Sequence, residues 1–103
     1  MKFEWDENKQ ILNIQKHSVS FIEACLVFSD EFILTIFDHK HSTHEDRWVS
    51  MGMIPYGKIL VVIHTIVLIE GEELVRIISA RRANLQEQRV YYERRKGQHG
   101  RPL

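Results

Sequence analysis

Apolar residues crowd one stretch of this chain and are spaced at intervals elsewhere, and the change of pattern marks out its elements. From Ile59 to Ile69 every residue is aliphatic except His64 and Thr65. Such a run suits a strand covered on both faces and predicts the longest, central strand of a sheet. Ile59, Val61, Ile63, Val67 and Ile69 make one apolar face, while Lys58, Leu60, Val62, His64 and Ile66 fall on the other. Glu70-Gly71-Glu72-Glu73 turns the chain into Leu74 to Ala80, an antiparallel partner. Upstream, Phe32 to Phe37 and Arg47 to Ile54 read as strands separated by the polar loop Asp38 to Asp46. Pro55-Tyr56-Gly57-Lys58 is turn chemistry.

Before the first of these strands the spacing is helical. Phe3-Glu4-Trp5 alternates and predicts a short first strand, after which Asp6 is a good N-cap and Glu7 complements the helix dipole. That helix is expected to reach about Lys16, with Ile11 and Ile14 or Leu12 as its buried side. Ser20-Phe21-Ile22-Glu23 is a capping box, predicting a second short helix from Phe21 to about Val27 with Ala24, Cys25 and Phe28 inward. At the other end Asn84 and Glu87 form a second capping box, for a helix to about Lys96. The order is β-α-α, a four-stranded antiparallel meander, and a last helix: an α+β domain with helices packed on one face of a sheet.

At 103 residues the chain fits one domain, placed at residues 1–96, with a flexible tail over residues 97–103 rich in Gly and Pro. The longest apolar run is too short to cross a bilayer and no secretory signal precedes it, so a cytoplasmic protein is expected. The single cysteine, Cys25, excludes an internal disulfide, suits a reducing compartment and reads as a buried structural thiol. A net charge of zero hides an asymmetry. From Arg76 onward Arg76, Arg81, Arg82, Arg89, Arg94, Arg95, Lys96 and Arg101 face only Glu87 and Glu93, a pattern of either a polyanion-binding surface or a solvated helix. Leu74 to Arg82 carries an arginine in its body and two at its exit. Because arginine stays charged, those side chains either pair with carboxylates or present charge to an anion.

Three separated blocks then carry a resemblance. Phe3 to Asp6, Lys9, Asn13, Lys16-His17, Val19 to Phe21, Glu23-Ala24 and Val27-Phe28 form the first. Asp38, His41-Ser42, Glu45 and Arg47 form the second, and Arg76 to Ala83, Glu87 and Tyr91 the third. On these residues the chain resembles the BrnT family, ribonuclease toxins of type II toxin–antitoxin modules with a RelE-like fold. It departs at Ser18, where glycine is usual, and at Asn84, where threonine is common. A positive φ at Ser18 would cost serine something that glycine avoids.

The resemblance implies RNA cleavage without a metal or other cofactor, by attack of a ribose 2′-hydroxyl on the adjacent phosphate. It also implies a cognate BrnA-type ribbon–helix–helix antitoxin, a heterotetramer with that antitoxin, and contact with operator DNA only through it. Such chemistry needs in-line geometry, charge stabilisation and proton transfer. Arg47, Arg76 and Arg81 are the candidates for charge, His64 for acid or base, and Tyr91 for a base or phosphate contact. Lys16, His17, Arg82 and Arg89 are candidate RNA contacts. A two- or four-residue hairpin turn would align His64 with Val75, Ile77, Ser79 and Arg81; a three-residue turn would align it with Arg76, Ala80 and Arg82. Against these stand plainer roles: a hydrogen-bonded core His64, Arg76 paired with Glu45, Glu70 or Glu72, helix-capping Lys16-His17, and Tyr91 packed on the sheet. His39, His41 and His44 with Asp38, Glu45 and Asp46 raise a zinc site, disfavoured because the segment reads as a flexible loop without thiolates. The alternative function is a non-catalytic module that binds nucleic acid or only the antitoxin.

Overall fold

β4 (Ile59–Ile69) lies at the centre of a five-stranded sheet in the order β1-β5-β4-β3-β2, as its two-sided apolar composition requires. The other strands are β1 (Lys2–Glu4), β2 (Leu34–Phe37), β3 (Trp48–Met53) and β5 (Glu72–Arg82). Helices α1 (Glu7–His17), α2 (Phe21–Cys25) and α3 (Leu85–His99) complete a computed structural model that describes residues 1–99. β2 to β5 form the expected antiparallel meander, but β1 pairs in parallel with β5, Phe3 opposite Val75, and makes the sheet mixed. α3 continues to His99, and residues 100–103 of the expected tail lie outside the described residues.

The β4–β5 turn is shorter than its four polar residues suggested. Ile69 pairs with Glu72, leaving Glu70 (φ 50°) and Gly71 (φ 80°) as a two-residue turn with positive φ at both positions. Along β5 the register then shifts by one. His64 pairs with Ile77 and Ile63 with Ser79, so Ile78 is an extra, bulged residue. A bulge inverts the alternation of everything beyond it. The register foreseen for a two-residue turn therefore holds for His64 only as far as Val75 and Ile77; beyond the bulge it shares a face with Ala80 and Arg82, not with Ser79 and Arg81.

The two faces carry separate cores. Leu60, Val62, Val75, Ile77 and Ala80 pack with Phe21, Ala24 and Val27 under α1 and α2, while Ile59, Val61 and Met51 pack with Phe32 and Tyr91 under α3. The helices thus lie on both faces, not one, because successive β4 residues point to opposite sides and each side is covered by different helices. The α1 surface also departs from its apolar spacing. Ile11, Leu12 and Ile14 are 48%, 63% and 44% exposed, whereas Gln10 and Asn13 are buried. Polar side chains are inward because the backbone beneath needs partners. Gln10 Oε1 accepts the Phe21 N–H at 3.0 Å, and the Asn13 amide donates to the carbonyls of Val19 and Ala80, both at 2.8 Å, while accepting the Ala80 N–H at 3.1 Å. β1 has ended by then, so Asn13 does for Ala80 what a neighbouring strand would.

On the opposite face Asp30 collects three donors: the N–H of Phe32 at 2.9 Å, the N–H of Met53 at 2.7 Å and the Tyr91 hydroxyl at 2.5 Å. Gly52 permits this approach, since a Cβ there would sit 2.9 Å from Val27 Cγ1. Burial works to raise the Asp30 pKa, but these hydrogen bonds and the Arg95 charge outweigh it and hold the group below the usual aspartate value. Ser18 closes α1 in the left-handed region (φ 58°, ψ 31°), donating its N–H to Ile14.

Two stability changes are expected. Ser18→Gly relieves the left-handed strain and raises the unfolding free energy by roughly 1 kcal/mol in urea titrations. Asp30→Ala leaves the Met53 N–H and the Tyr91 hydroxyl without their acceptor and lowers it by about 2–4 kcal/mol. With a folded pKa below the unfolded value of about 3.9, the Asp30 contribution is fully present at neutral pH and fades only as pH drops below about 4. The Asp30→Ala deficit measured at pH 7 therefore shrinks in acid.

Candidate functional site

The bulge decides which arginines can act together. Arg76 and Arg81 are five positions apart and would point to opposite sides of a regular strand. With Ile78 bulged, Arg76 pairs with Thr65 and Arg81 with Val61, two β4 residues that point the same way. Continuing the β3–β4 register one step beyond Trp48–His64 sets Arg47 opposite Thr65 on this same face. Arg47, Thr65 and Arg76 thus form a row across the sheet, with the arginines about two strand spacings, roughly 10 Å, apart. Glu4 lies beside Arg76 at the edge. No ion pair to Arg76 forms among the described residues, and Arg47 has only a loose contact, Nη2 to Glu45 Oε1 at 3.6 Å.

α3 covers only the other end of this face. Between it and the arginine row lies an apolar groove of about 190 Å³ lined by Leu34, Ile36, Val49, Met51, Val61 and Val90, with Glu87 at its rim. Arg81 stands at that end but is committed. Its Nη1 and Nη2 donate to Glu87 Oε1 and Oε2 at 2.7 and 2.9 Å, a two-pronged contact that raises the arginine pKa and lowers the glutamate's. Glu87 also closes the Asn84 capping box, so Arg81 anchors the start of α3.

Two expected site residues are internal. His64 is fully buried on the α1/α2 side, edge-on to Phe28 at 4.9 Å. Ser50 Oγ donates to its Nε2 at 2.6 Å and its Nδ1–H donates to the Thr65 carbonyl at 3.2 Å. Burial pushes its pKa below the ordinary histidine value. The imidazole does lie on an arginine-bearing face, but the arginine is Arg82: Arg76 and Arg81 are on the other side, the first through the turn length and the second through the bulge. Tyr91 is likewise enclosed, its pKa pushed up to about 12 by burial and by Asp30, so its ring offers no base a platform.

The remaining candidates scatter. Arg82 is exposed but belongs to the α1/α2 side, two residues past Ala80. Lys16 and His17 end α1, where the helix dipole favours them. Arg89 is exposed on α3. Among the basic residues of that helix, Arg94 is tied to the carbonyls of Phe32 and Ile33, both at 3.1 Å, and Arg95 stacks on Phe32. The loop histidines do not converge with carboxylates into a three-ligand group among the described residues.

Asp38 and His41 were weighed in the sequence only as possible zinc ligands and not as a pair with each other. Its signal was there: an aspartate three residues before a histidine matches the reach of a capping side chain. Asp38 Oδ2 and Oδ1 lie 2.9 and 3.2 Å from His41 Nδ1, in a loop whose Ser42 Oγ accepts the Arg47 N–H at 3.0 Å.

A structural His64 has a measurable signature. His64→Gln should cost about 2 kcal/mol of stability at pH 7.5 through its lost packing and hydrogen bonds. Because the folded pKa is depressed, the unfolded chain takes up a proton first as pH falls below about 6.5, and the wild type then loses stability. Urea midpoints at pH 7.5 and 5.5 should therefore converge between wild type and variant.

No helix among the described residues is long and apolar enough to cross a membrane. Among curated proteins none matches the chain. A family model described as "Ribonuclease toxin, BrnT, of type II toxin-antitoxin system" matches residues 5–87, a span that contains the arginine row, the Arg81–Glu87 pair and every groove residue but Val90. Membership of such a system implies a protein antitoxin as partner. The chain belongs to the BrnT family of ribonuclease toxins.

Proposed function

We propose that the chain is a metal-independent endoribonuclease that acts from the open sheet face in the cytoplasm, cleaving RNA by 2′-hydroxyl attack and thereby stopping translation. Arg76 and Arg47 hold the scissile phosphate and balance the charge that grows on it in the transition state. The groove beside them receives a neighbouring nucleotide against its aliphatic floor. The observation that carries this reading is the Arg47–Thr65–Arg76 row: two guanidinium groups on one face, one without an ion pair among the described residues and one only loosely held. Arg76 is exposed and Arg47 partly so, which leaves both planar forks free to meet the oxygens of a phosphate. A cognate BrnA-type ribbon–helix–helix antitoxin neutralises the toxin by covering this face, in a heterotetramer that reaches operator DNA through the antitoxin alone.

A non-catalytic binding module is the second reading, and one observation favours it. His64, Tyr91 and Arg81 are all engaged in structural contacts, which leaves a cationic face without the acid–base groups first expected.

Incubating the purified chain with RNA in EDTA separates the two. The nuclease reading expects cleavage, lowered roughly 10²–10³-fold by Arg76→Ala with an unchanged circular dichroism spectrum. Arg81→Ala should instead cost mainly stability, through the start of α3. Intact RNA with retained, salt-sensitive binding would replace the enzyme with the module.

A further inference from the structure

His64 is buried behind the open face and cannot take a proton there, but the β2–β3 loop supplies another imidazole. Asp38 donates its backbone N–H to the Arg47 carbonyl at 2.9 Å, extending the β2–β3 ladder by one pair, so Asp38 and Arg47 lie side by side on the open face. The 3-10 turn His39–His41 follows, and Asp38 holds it by accepting the His41 backbone N–H at 3.3 Å. The same carboxylate takes His41 Nδ1 from above. A carboxylate only accepts, so Nδ1 carries the hydrogen and Nε2 is left with the lone pair. Asp38 is mostly enclosed, its side chain 15% exposed, whereas the His41 side chain is 59% exposed. An enclosed carboxylate that orients an accessible imidazole is the arrangement that general bases use.

We propose that His41 is the general base of the ribonuclease reaction and that Asp38 is its positioning residue. This rests on the nuclease reading above and adds its missing proton acceptor. His41 and Arg47 line one cavity of about 210 Å³, with Lys40, Thr43, His44 and Glu45 as the other walls. A phosphate held by Arg47 there has His41 as its neighbour. Nε2 takes the proton of the ribose 2′-hydroxyl while its oxygen bonds to phosphorus. The bond from phosphorus to the 5′-oxygen breaks, and the leaving oxygen takes a proton from water. The imidazolium, stabilised by Asp38, returns its proton to solvent. The charged and titratable groups facing His41 are Asp38, Lys40, His44, Glu45 and Arg47.

The test uses the full chain with an RNA oligonucleotide. His41→Ala keeps the backbone N–H that binds Asp38, and His41→Asn also keeps a side-chain donor for it, so at least the second should fold. Both should lower kcat roughly 10²–10⁴-fold while RNA affinity stays within a few-fold. The acid limb of the wild-type pH–rate profile should vanish in both, and added imidazole should restore part of the His41→Ala rate. A folded variant that cleaves at the wild-type rate, or that loses rate and affinity together with no response to imidazole, overturns the assignment and leaves the nuclease reading standing. RNA left intact by the wild type itself overturns both.

Discussion

The Asn13 amide bonded to both backbone groups of Ala80 is the contact on which this architecture turns. It lies just past the Ile78 bulge, where β5 has lost β1 as a neighbour and its outer edge would otherwise be unpaired. A bulge left on an open edge has little to hold it. Fastened to α1, it keeps the final stretch of β5 in inverted phase, which sends Ala80 into the helix-covered core and Arg81 to the opposite face. α1 is sacrificed to this task. Its buried residues are amides, and its isoleucines and leucine are left toward solvent. The helix serves as a polar clamp on a strand more than as a hydrophobic lid.

A second polar centre, Asp30, does comparable work on the other face. It joins the end of the Leu26–Ser29 turn, the last residue of β3 and the middle of α3 through hydrogen bonds that all involve a charged acceptor, the stronger class of such contacts. Arg81 fastens the beginning of α3 through Glu87, and Arg94 and Arg95 fasten its far half to Phe32 and Ile33. Much of the positive charge that makes the C-terminal third look like a polyanion surface thus attaches a helix of low hydrophobicity to the sheet. What is left for a ligand is smaller and better defined. It is the arginine row at the end that α3 does not reach.

The division of labour between the faces follows from coverage. α1 and α2 seal their side, so a histidine there, His64, is neutral and saturated. α3 begins at one corner and leaves the opposite end of its side exposed, where cationic groups sit next to aliphatic surface. Phosphate and base of a nucleotide call for those two surfaces in adjacent positions.

Local chemistry in the chain was enough to read the strands, the three helices and both capping boxes, since each depends on residues close in sequence: apolar, β-forming runs for β2 to β5, Ser20 with Glu23, Asn84 with Glu87. The family was legible for the same reason, in short blocks of fixed spacing. What the chain did not reveal were the parallel pairing of β1, the bulge at Ile78 and the inward amides of α1. Each of these is a choice between nearly equal local options settled by a distant partner, Val75 for Phe3 and Ala80 for Asn13. The site inherited that uncertainty. Face assignment in a strand is a matter of parity, and one extra residue was enough to send His64 behind the sheet and to bring Arg76 and Arg81 to the same side. Sequence determined which charged groups were available; only the tertiary register decided which of them meet.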